Sequence, residues 1–249
     1  MNTNKIERNV IKFFSSNKSV QIYGQPNLQI YEKKILKKIL FSNSRILDVG
    51  CGGGRVAIPL AKMGYFVVGV DINPTLIKIA RKNAKIEKLT NIKFYLKDIV
   101  KFKFKKEFFD FAIIFENSLE HIPSNKKREK ALLIINNLLK PEGLLIISFN
   151  SYFYPFKRFV KLQFQNIKNL IFKKYEINDT IFHGLYHHMF THFEIEKLFR
   201  KTGFKKVQII PINLLDKKMN MFKSLKLYET LRIFLYNFWI FKKFEQNKE

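Results

Sequence analysis

Cysteine occurs once in 249 residues, at Cys51. That excludes an intramolecular disulfide framework and a cysteine-rich zinc centre, and it agrees with a reducing compartment. Long apolar runs are also missing: the longest, IFLYNFWIF at 233–241, falls far short of the roughly 20 residues that span a bilayer. The N-terminal MNTNKIERNVIKFFSSNKS scatters charges through its apolar positions and lacks the continuous apolar segment of a secretory signal. Together these features predict a cytoplasmic protein. Acidic residues are scarce, with 20 Asp and Glu against 46 Lys and Arg, a formal net charge of +26. A field of that sign attracts polyanions such as tRNA or an anionic membrane surface. Composition offers a second explanation, because only eight of the 46 are Arg and the chain is rich in Ile, Asn and Phe. Lys meets phosphate as a point charge, without arginine's bidentate fork.

What is plentiful is apolar surface, 47% of residues, enough for one sizeable core at this length. Apolar residues recur at helical spacing over 6–14 and 28–41, which predicts two N-terminal helices separated by a turn-like SVQIYGQPN. From Arg45 the pattern changes to short apolar runs, RILDVG, FVVGVD, IKFYLKD, FDFAIIFEN and GLLIISFN, separated by helix-compatible segments. Such alternation signals parallel strands joined by crossover helices. After Asn150 the chain turns aromatic and basic, then resumes with a helix in THFEIEKLFRKTG and a strand in FKKVQIIPI. The tail is open to two readings. Met219–Leu235 suits a helix, and NFWIFKKFE suits either a last strand pairing antiparallel or an amphipathic helix with Lys242 and Lys243 at lipid headgroups.

DVGCGGG runs from a strand straight into a helix, the geometry of a ligand site at the carboxyl edge of an open α/β sheet. Glycines let a ligand approach the backbone there, and the helix start offers N–H groups. Gly50, Gly52, Gly53 and Gly54 give GxGGG, with Arg55 where a dinucleotide fingerprint would carry its last glycine. Asp71 ends the second strand, where a carboxylate accepts both ribose hydroxyls of an adenosine, and Asp98 ends the third, near an adenine amino group. With Asp48 ahead of the loop, the set favours a nucleoside without a pyrophosphate. Each acid also suits a helix cap or a surface charge.

ILDVGCGGG, VVGVDIN, YLKDI, FDFAIIFENSLEHI and LLKPEGLLIIS, in that order, resemble the class I S-adenosylmethionine-dependent methyltransferases, of the kind that includes the ubiquinone-biosynthesis-like O-methyltransferases. The similarity covers roughly 43–210. It implies an α/β fold, a Rossmann-like sheet that is mostly parallel with an antiparallel last strand. Helices would lie on both faces, with N-terminal helices ahead and an inserted cap after strand five. The chain would be one domain: N-terminal helices at 1–42, a cofactor-binding core at 43–150, a substrate cap at 151–190, and a helix, strands and basic aromatic tail at 191–249. The resemblance further implies that S-adenosylmethionine is the cofactor, with Gly50, Cys51 and Gly52 at its methionine and ribose portion. Asp48 would hold the loop and the ammonium side, and Asp71 the ribose. Ile72 and Ile99 would sandwich adenine, Asp98 would accept from its amino group, and Phe115 and Glu116 would line the methionine end. No metal is expected.

Methyl transfer is an in-line displacement, so positioning is the protein's main task, and a base is needed only for an acceptor protonated at working pH. His121, in SLEHIP, matches the Glu-His placed near the transfer site in the resembled enzymes. His183, His187 and His188 stand where the cap returns to the sheet, and His187 is the second candidate base. ENSLEH replaces the Asn/Asp-Pro-Pro-aromatic run of enzymes that methylate adenine or glutamine amides, and no cysteine outside the cofactor loop is available for attack on pyrimidine carbon 5. The leading expectation is an O- or N-methyltransferase for a small-molecule or lipid-like acceptor, with the aromatic Tyr152–Tyr175 stretch as its lid. LYHHMFTHFEIEKLFRKTGF is similar to the pattern of tRNA wobble-uridine carboxymethyl methyltransferases, which keeps tRNA open as a partner. Peripheral membrane contact through the tail, and a non-catalytic scaffolding protein retaining the fold, are the remaining alternatives.

Overall fold

The computed structural model describes residues 3–149, 164–167, 176–182, 184–211 and 237–244. Seven strands form one sheet: Arg45–Val49 (β1), Phe66–Asp71 (β2), Ile92–Leu96 (β3), Phe109–Ile114 (β4), Leu139–Phe149 (β5), Phe204–Pro211 (β8) and Asn237–Lys243 (β9). Asp179–Phe182 (β6) and Leu185–His188 (β7) make a separate antiparallel hairpin within the expected cap region. Sheet order is β3-β2-β1-β4-β5-β9-β8. The first five strands of this order pair in parallel, and β9 runs antiparallel to both neighbours, opposing Ile240 to Ile146 and Trp239 to Ile147. The expected mostly parallel sheet with an antiparallel last strand is therefore observed, and that strand sits between β5 and β8.

Side-chain alternation decides the layers. Ile46, Phe111, Ile113, Ile146 and Phe238 point to one face, and Leu47, Ala112, Ile114, Ile147 and Trp239 to the other. Both faces are covered, which is why these strands read as unbroken apolar runs. The first face carries the helices Ile30–Ile39 (α3), Ala57–Lys62 (α4) and Pro74–Ile86 (α5), through residues such as Leu36, Leu60 and Ile77. The second carries Asn125–Leu138 (α6) and His192–Lys201 (α7), through Leu132, Ile135 and Phe199. Helix starts follow local chemistry: the Asn73 side chain accepts from the Leu76 amide ahead of Pro74, and Thr191 and Glu194 form a reciprocal capping box.

Two sequence expectations change. Three helices, not two, precede β1, because SVQIY lies in Asn17–Tyr23 (α2), following Thr3–Phe14 (α1). The Ser16 side chain caps α2 by accepting from Ser19 N, and the Gly24 amide closes it on the Val20 carbonyl. Seven residues are too few to show a helical period, so the sequence reads as a turn. The amphipathic-helix alternative for NFWIFKK is overturned as well. Phe238, Trp239 and Phe241 are buried in the sheet, and Lys243 Nζ donates to the Leu139 carbonyl at 2.8 Å instead of reaching a headgroup. Met219–Leu235, His183 and all of Tyr152–Tyr175 except 164–167 lie outside the described residues. Among the described residues no helix is long and apolar enough to cross a membrane.

Candidate functional site

The parallel strands end on one edge of the sheet, where their loops surround a cavity. Asp48, Gly50, Cys51, Gly52, Asp71, Ile72, Asp98, Ile99, Phe115, Glu116 and His121 all line it. Residues from four separate segments, spread over more than 70 positions of chain, thus meet in one place. His187 is brought close without reaching the wall: its ring lies behind His121, centroids 4.6 Å apart.

Glycine is required in the loop for a steric reason. Gly50 has φ +74°, and a Cβ there would lie 2.5 Å from the Ser118 hydroxyl across the cavity floor. At Gly53 a Cβ would meet the Gly24 Cα at 2.4 Å, so the end of α2 rests directly on the loop. The Gly53 amide also donates to the Tyr23 carbonyl at 2.9 Å.

Asp71 is held from both sides. Its Oδ2 accepts from the Gly52 amide at 2.9 Å and its Oδ1 from the Asn73 amide at 2.7 Å. These amides oppose the effect of burial, which still leaves the carboxyl above its ordinary range. Asp98 accepts from the Val100 amide at 3.1 Å, capping a short 3₁₀ turn over Ile99–Lys101 while facing the cavity. Asp48 is the most exceptional of the three. It is buried, its Oδ2 has no hydrogen-bond partner among the described residues, and burial pushes its pKa up to about 7 against the opposing pull of Arg55. Cys51 is raised well above the usual thiol range by burial and by Asp71 and Asp48, so it is not a nucleophile at neutral pH.

Arg55, the residue in place of a last glycine, anchors the loop. It donates from both terminal nitrogens to the Glu32 carboxylate at 2.6 and 2.8 Å, to the Asn27 carbonyl at 2.9 Å, and approaches Glu116 at 3.5 Å. Both members of the Arg55–Glu32 pair are buried. Sequence reasoning missed this pair, and it missed Tyr23, which lines the cavity from α2. The only advance signal was an arginine at a loop position where small residues prevail.

Charge distinguishes this cavity from the rest of the molecule. Of 20 acidic residues in the chain, five line it (Glu7, Asp48, Asp71, Asp98 and Glu116), against Arg55 and Lys97 from 46 basic ones. A protein of net charge +26 has placed a negative hole at its sheet edge. Apolar residues, among them Ile72, Leu76, Ile99, Leu119 and Ile135, supply much of the remaining wall. This donor set fits S-adenosylmethionine, whose sulfonium and ammonium are cationic and whose ribose hydroxyls need acceptors. A buried carboxylate oxygen without a partner, as at Asp48, suits a cationic group, and a carboxylate held by two amides, as at Asp71, suits hydroxyl donors.

Comparison with known proteins agrees with this geometry. Residues 40–203 match a sequence model of the methyltransferase domain family. A putative methyltransferase of Geobacillus is 36% identical over 107 residues, 43% of this chain and 42% of that protein. The ubiquinone biosynthesis O-methyltransferase of Coxiella burnetii is 35% identical over 127 residues, 49% of this chain and 52% of its own length. The chain thus spans about half the length of these curated relatives. Among solved structures, a SAM-dependent methyltransferase of Methanosarcina mazei superposes with a TM-score of 0.67 at 23% identity, covering 88% of this chain and all of that one.

Proposed function

The chain belongs to the methyltransferase domain family, and on that premise we propose that it transfers the methyl group of S-adenosylmethionine to an oxygen or nitrogen atom of a small-molecule or lipid-like acceptor. The single observation behind this reading is the acidic cavity that runs from the Asp48 and Asp71 carboxylates to His121 beneath α1 and α2. Val10, Ile11, Phe14 and Tyr23 line it from those helices. A site roofed this way suits an acceptor that enters whole better than one presented on a large polymer. The Coxiella relative, named for ubiquinone biosynthesis, supports an oxygen acceptor of lipid-like character.

The bound cofactor supplies a methyl carbon already activated by its sulfonium. The protein's own residues do the rest. Asp48 and Asp71 fix the donor's ends, Gly50 and Gly52 let it lie against the backbone, and Ile72 and Ile99 flank its base. Phe14 packs edge-on against both Tyr23 and His121, at 5.2 and 5.4 Å, and keeps water from the acceptor end. Proximity and alignment account for most of the rate, with His121 receiving a proton where the acceptor carries one and His187 behind it.

The test has two stages. Calorimetry with S-adenosylhomocysteine checks the cofactor site. Incubation with methyl-labelled S-adenosylmethionine and fractionated metabolite and lipid extracts then checks the acceptor. Label in a small-molecule or lipid fraction supports the proposal, and label only in macromolecules overturns it. One observation favours a second reading, tRNA modification: the +26 charge. Binding to tRNA that weakens log-linearly with salt, accompanied by methyl transfer to it, would establish that reading.

A further inference from the structure

The short 3₁₀ turn Ser118–His121 after β4 packs against the strand β7, which sets the His121 and His187 rings edge to face with the Glu120 carboxylate beside His187. His121 Nδ1 lies 2.8 Å from the Tyr186 main-chain oxygen. A carbonyl oxygen only accepts, so Nδ1 carries the proton and the neutral ring has its lone pair at Nε2. This is the reverse of the tautomer that a free imidazole side chain prefers in water. Next along β7, His187 Nδ1 stands 3.5 Å from Glu120 Oε2, and the His187 ring meets the His121 ring edge-on. Glu120 is 0% exposed, so its charge acts at short range and is little screened.

The carbonyl that sets the tautomer is itself fixed. The Tyr186 hydroxyl donates to Asp179 Oδ1 at 2.7 Å and accepts from Arg128 Nη1 at 3.2 Å. Arg128, fully buried, also donates to the Ile122 carbonyl at 2.8 Å and to Glu176 at 2.7 Å. The hairpin is thereby pinned to α6 and to the segment that follows His121.

We propose that Tyr186, through its main-chain carbonyl, and Glu120 are positioning residues. Together they make His121 Nε2 the proton-accepting atom of the site and provide the counter-charge for the imidazolium that results. This rests on the methyl-transfer reading above. In the step concerned, the acceptor's O–H or N–H proton passes to His121 Nε2. The acceptor's lone pair forms the bond to the methyl carbon, and the methyl–sulfur bond breaks with its electrons going to sulfur. The His121 and His187 rings, centroids 4.6 Å apart, are close enough for their protonations to be coupled. Other titratable groups that line the cavity with His121 include Glu7 on α1, ion-paired with Lys127, Tyr23 on α2 and Glu116 beyond β4.

The experiment is nitrogen-15 NMR of the imidazoles in the full chain, which has five histidines, with peaks assigned by His121→Gln and His187→Gln. In the unmodified chain at pH 8 the neutral His121 ring is expected as the Nδ1–H form, and an Nε2–H form overturns the proposal. Glu120→Gln is expected to move the first protonation of the pair down by about one pH unit or more, leaving His192 as an unmoved internal control. Midpoints of His121 and His187 unchanged to within about 0.2 unit, on the same scale, overturn the role of Glu120. If the glutamine variant does not fold, Glu120→Asp replaces it: a smaller downward shift supports the role and no shift overturns it. These readings need no acceptor and no cofactor. An absence of S-adenosylhomocysteine binding would therefore defeat the methyl-transfer reading while leaving the tautomer measurement to stand or fall separately.

Discussion

Gly50 and Ser118 close the floor of the cavity from opposite loops, so near that a Cβ on residue 50 would lie 2.5 Å from the Ser118 hydroxyl. The contact joins the end of β1 to the end of β4 across 68 residues of chain. It makes the glycine a requirement of the tertiary structure as well as of the turn.

Gly50→Ala is therefore expected to weaken S-adenosylhomocysteine binding by about tenfold or more, since both the positive φ and the Ser118 contact resist a side chain. Ser118→Gly in the same chain removes the clash but not the φ strain, and restores part of the loss. Calorimetric titration of the three proteins measures it.

Asp71→Asn keeps the shape of the side chain while removing its charge. Hydrogen bonds to a charged group contribute about 1.5–3 kcal/mol, so affinity for S-adenosylhomocysteine falls about 10- to 100-fold. Cofactor affinity equal to that of the unmodified protein would remove Asp71 from the ribose site.

Asp48 makes both stability and binding depend on pH. Its folded pKa is about 7, against an ordinary 3.8. Between those values the folded state holds a proton that the unfolded state has lost, so this group's contribution to stability declines as pH rises from 4 to 7. A ligand ammonium beside the carboxylate favours ionisation. Binding of S-adenosylhomocysteine near pH 7 is thus expected to release protons and to tighten between pH 6 and 8. Titration calorimetry in two buffers of different ionisation enthalpy measures the release. Proton uptake, or no exchange, would contradict the assignment of the ammonium to Asp48.

Arg55→Met leaves Glu32 buried without its partner, which costs about 3–5 kcal/mol. For a chain of this size that corresponds to a fall in Tm of about 6 °C or more. Replacing Glu32 with Leu as well is expected to recover most of the loss, because a buried pair is often no better than apolar residues of similar volume. Scanning calorimetry of the single and double variants decides between an essential charge pair and a replaceable one.

Much of this architecture could be read from local pattern. FVVGVD and FDFAIIFEN announce buried parallel strands because both of their faces are covered, and the loop DVGCGGG is legible because only glycine tolerates its backbone and its neighbours. Asp48, Asp71 and Asp98 are legible as site candidates because each lies at or beside the carboxyl end of a strand, and strand ends in this fold share one edge. Tyr23 escaped notice because α2 is too short to show a period. The role of Glu32 escaped because a lone acid among lysines reads as a solvent-facing charge until Arg55 is brought to it.

The sequence alone determined the buried parallel strands of the core and the glycine loop at the end of the first of them. Both follow from residues within a few positions of one another. Only the tertiary structure decided where β9 inserts, how α1 and α2 roof the cavity, and that His187 stands behind His121 and not at the wall. The reason is separation along the chain: the Tyr186 carbonyl meets His121 across 65 residues, and Arg55 meets Glu32 across 23. Contacts of that range carry no local periodicity, and they exist only once the sheet has fixed which loops share an edge.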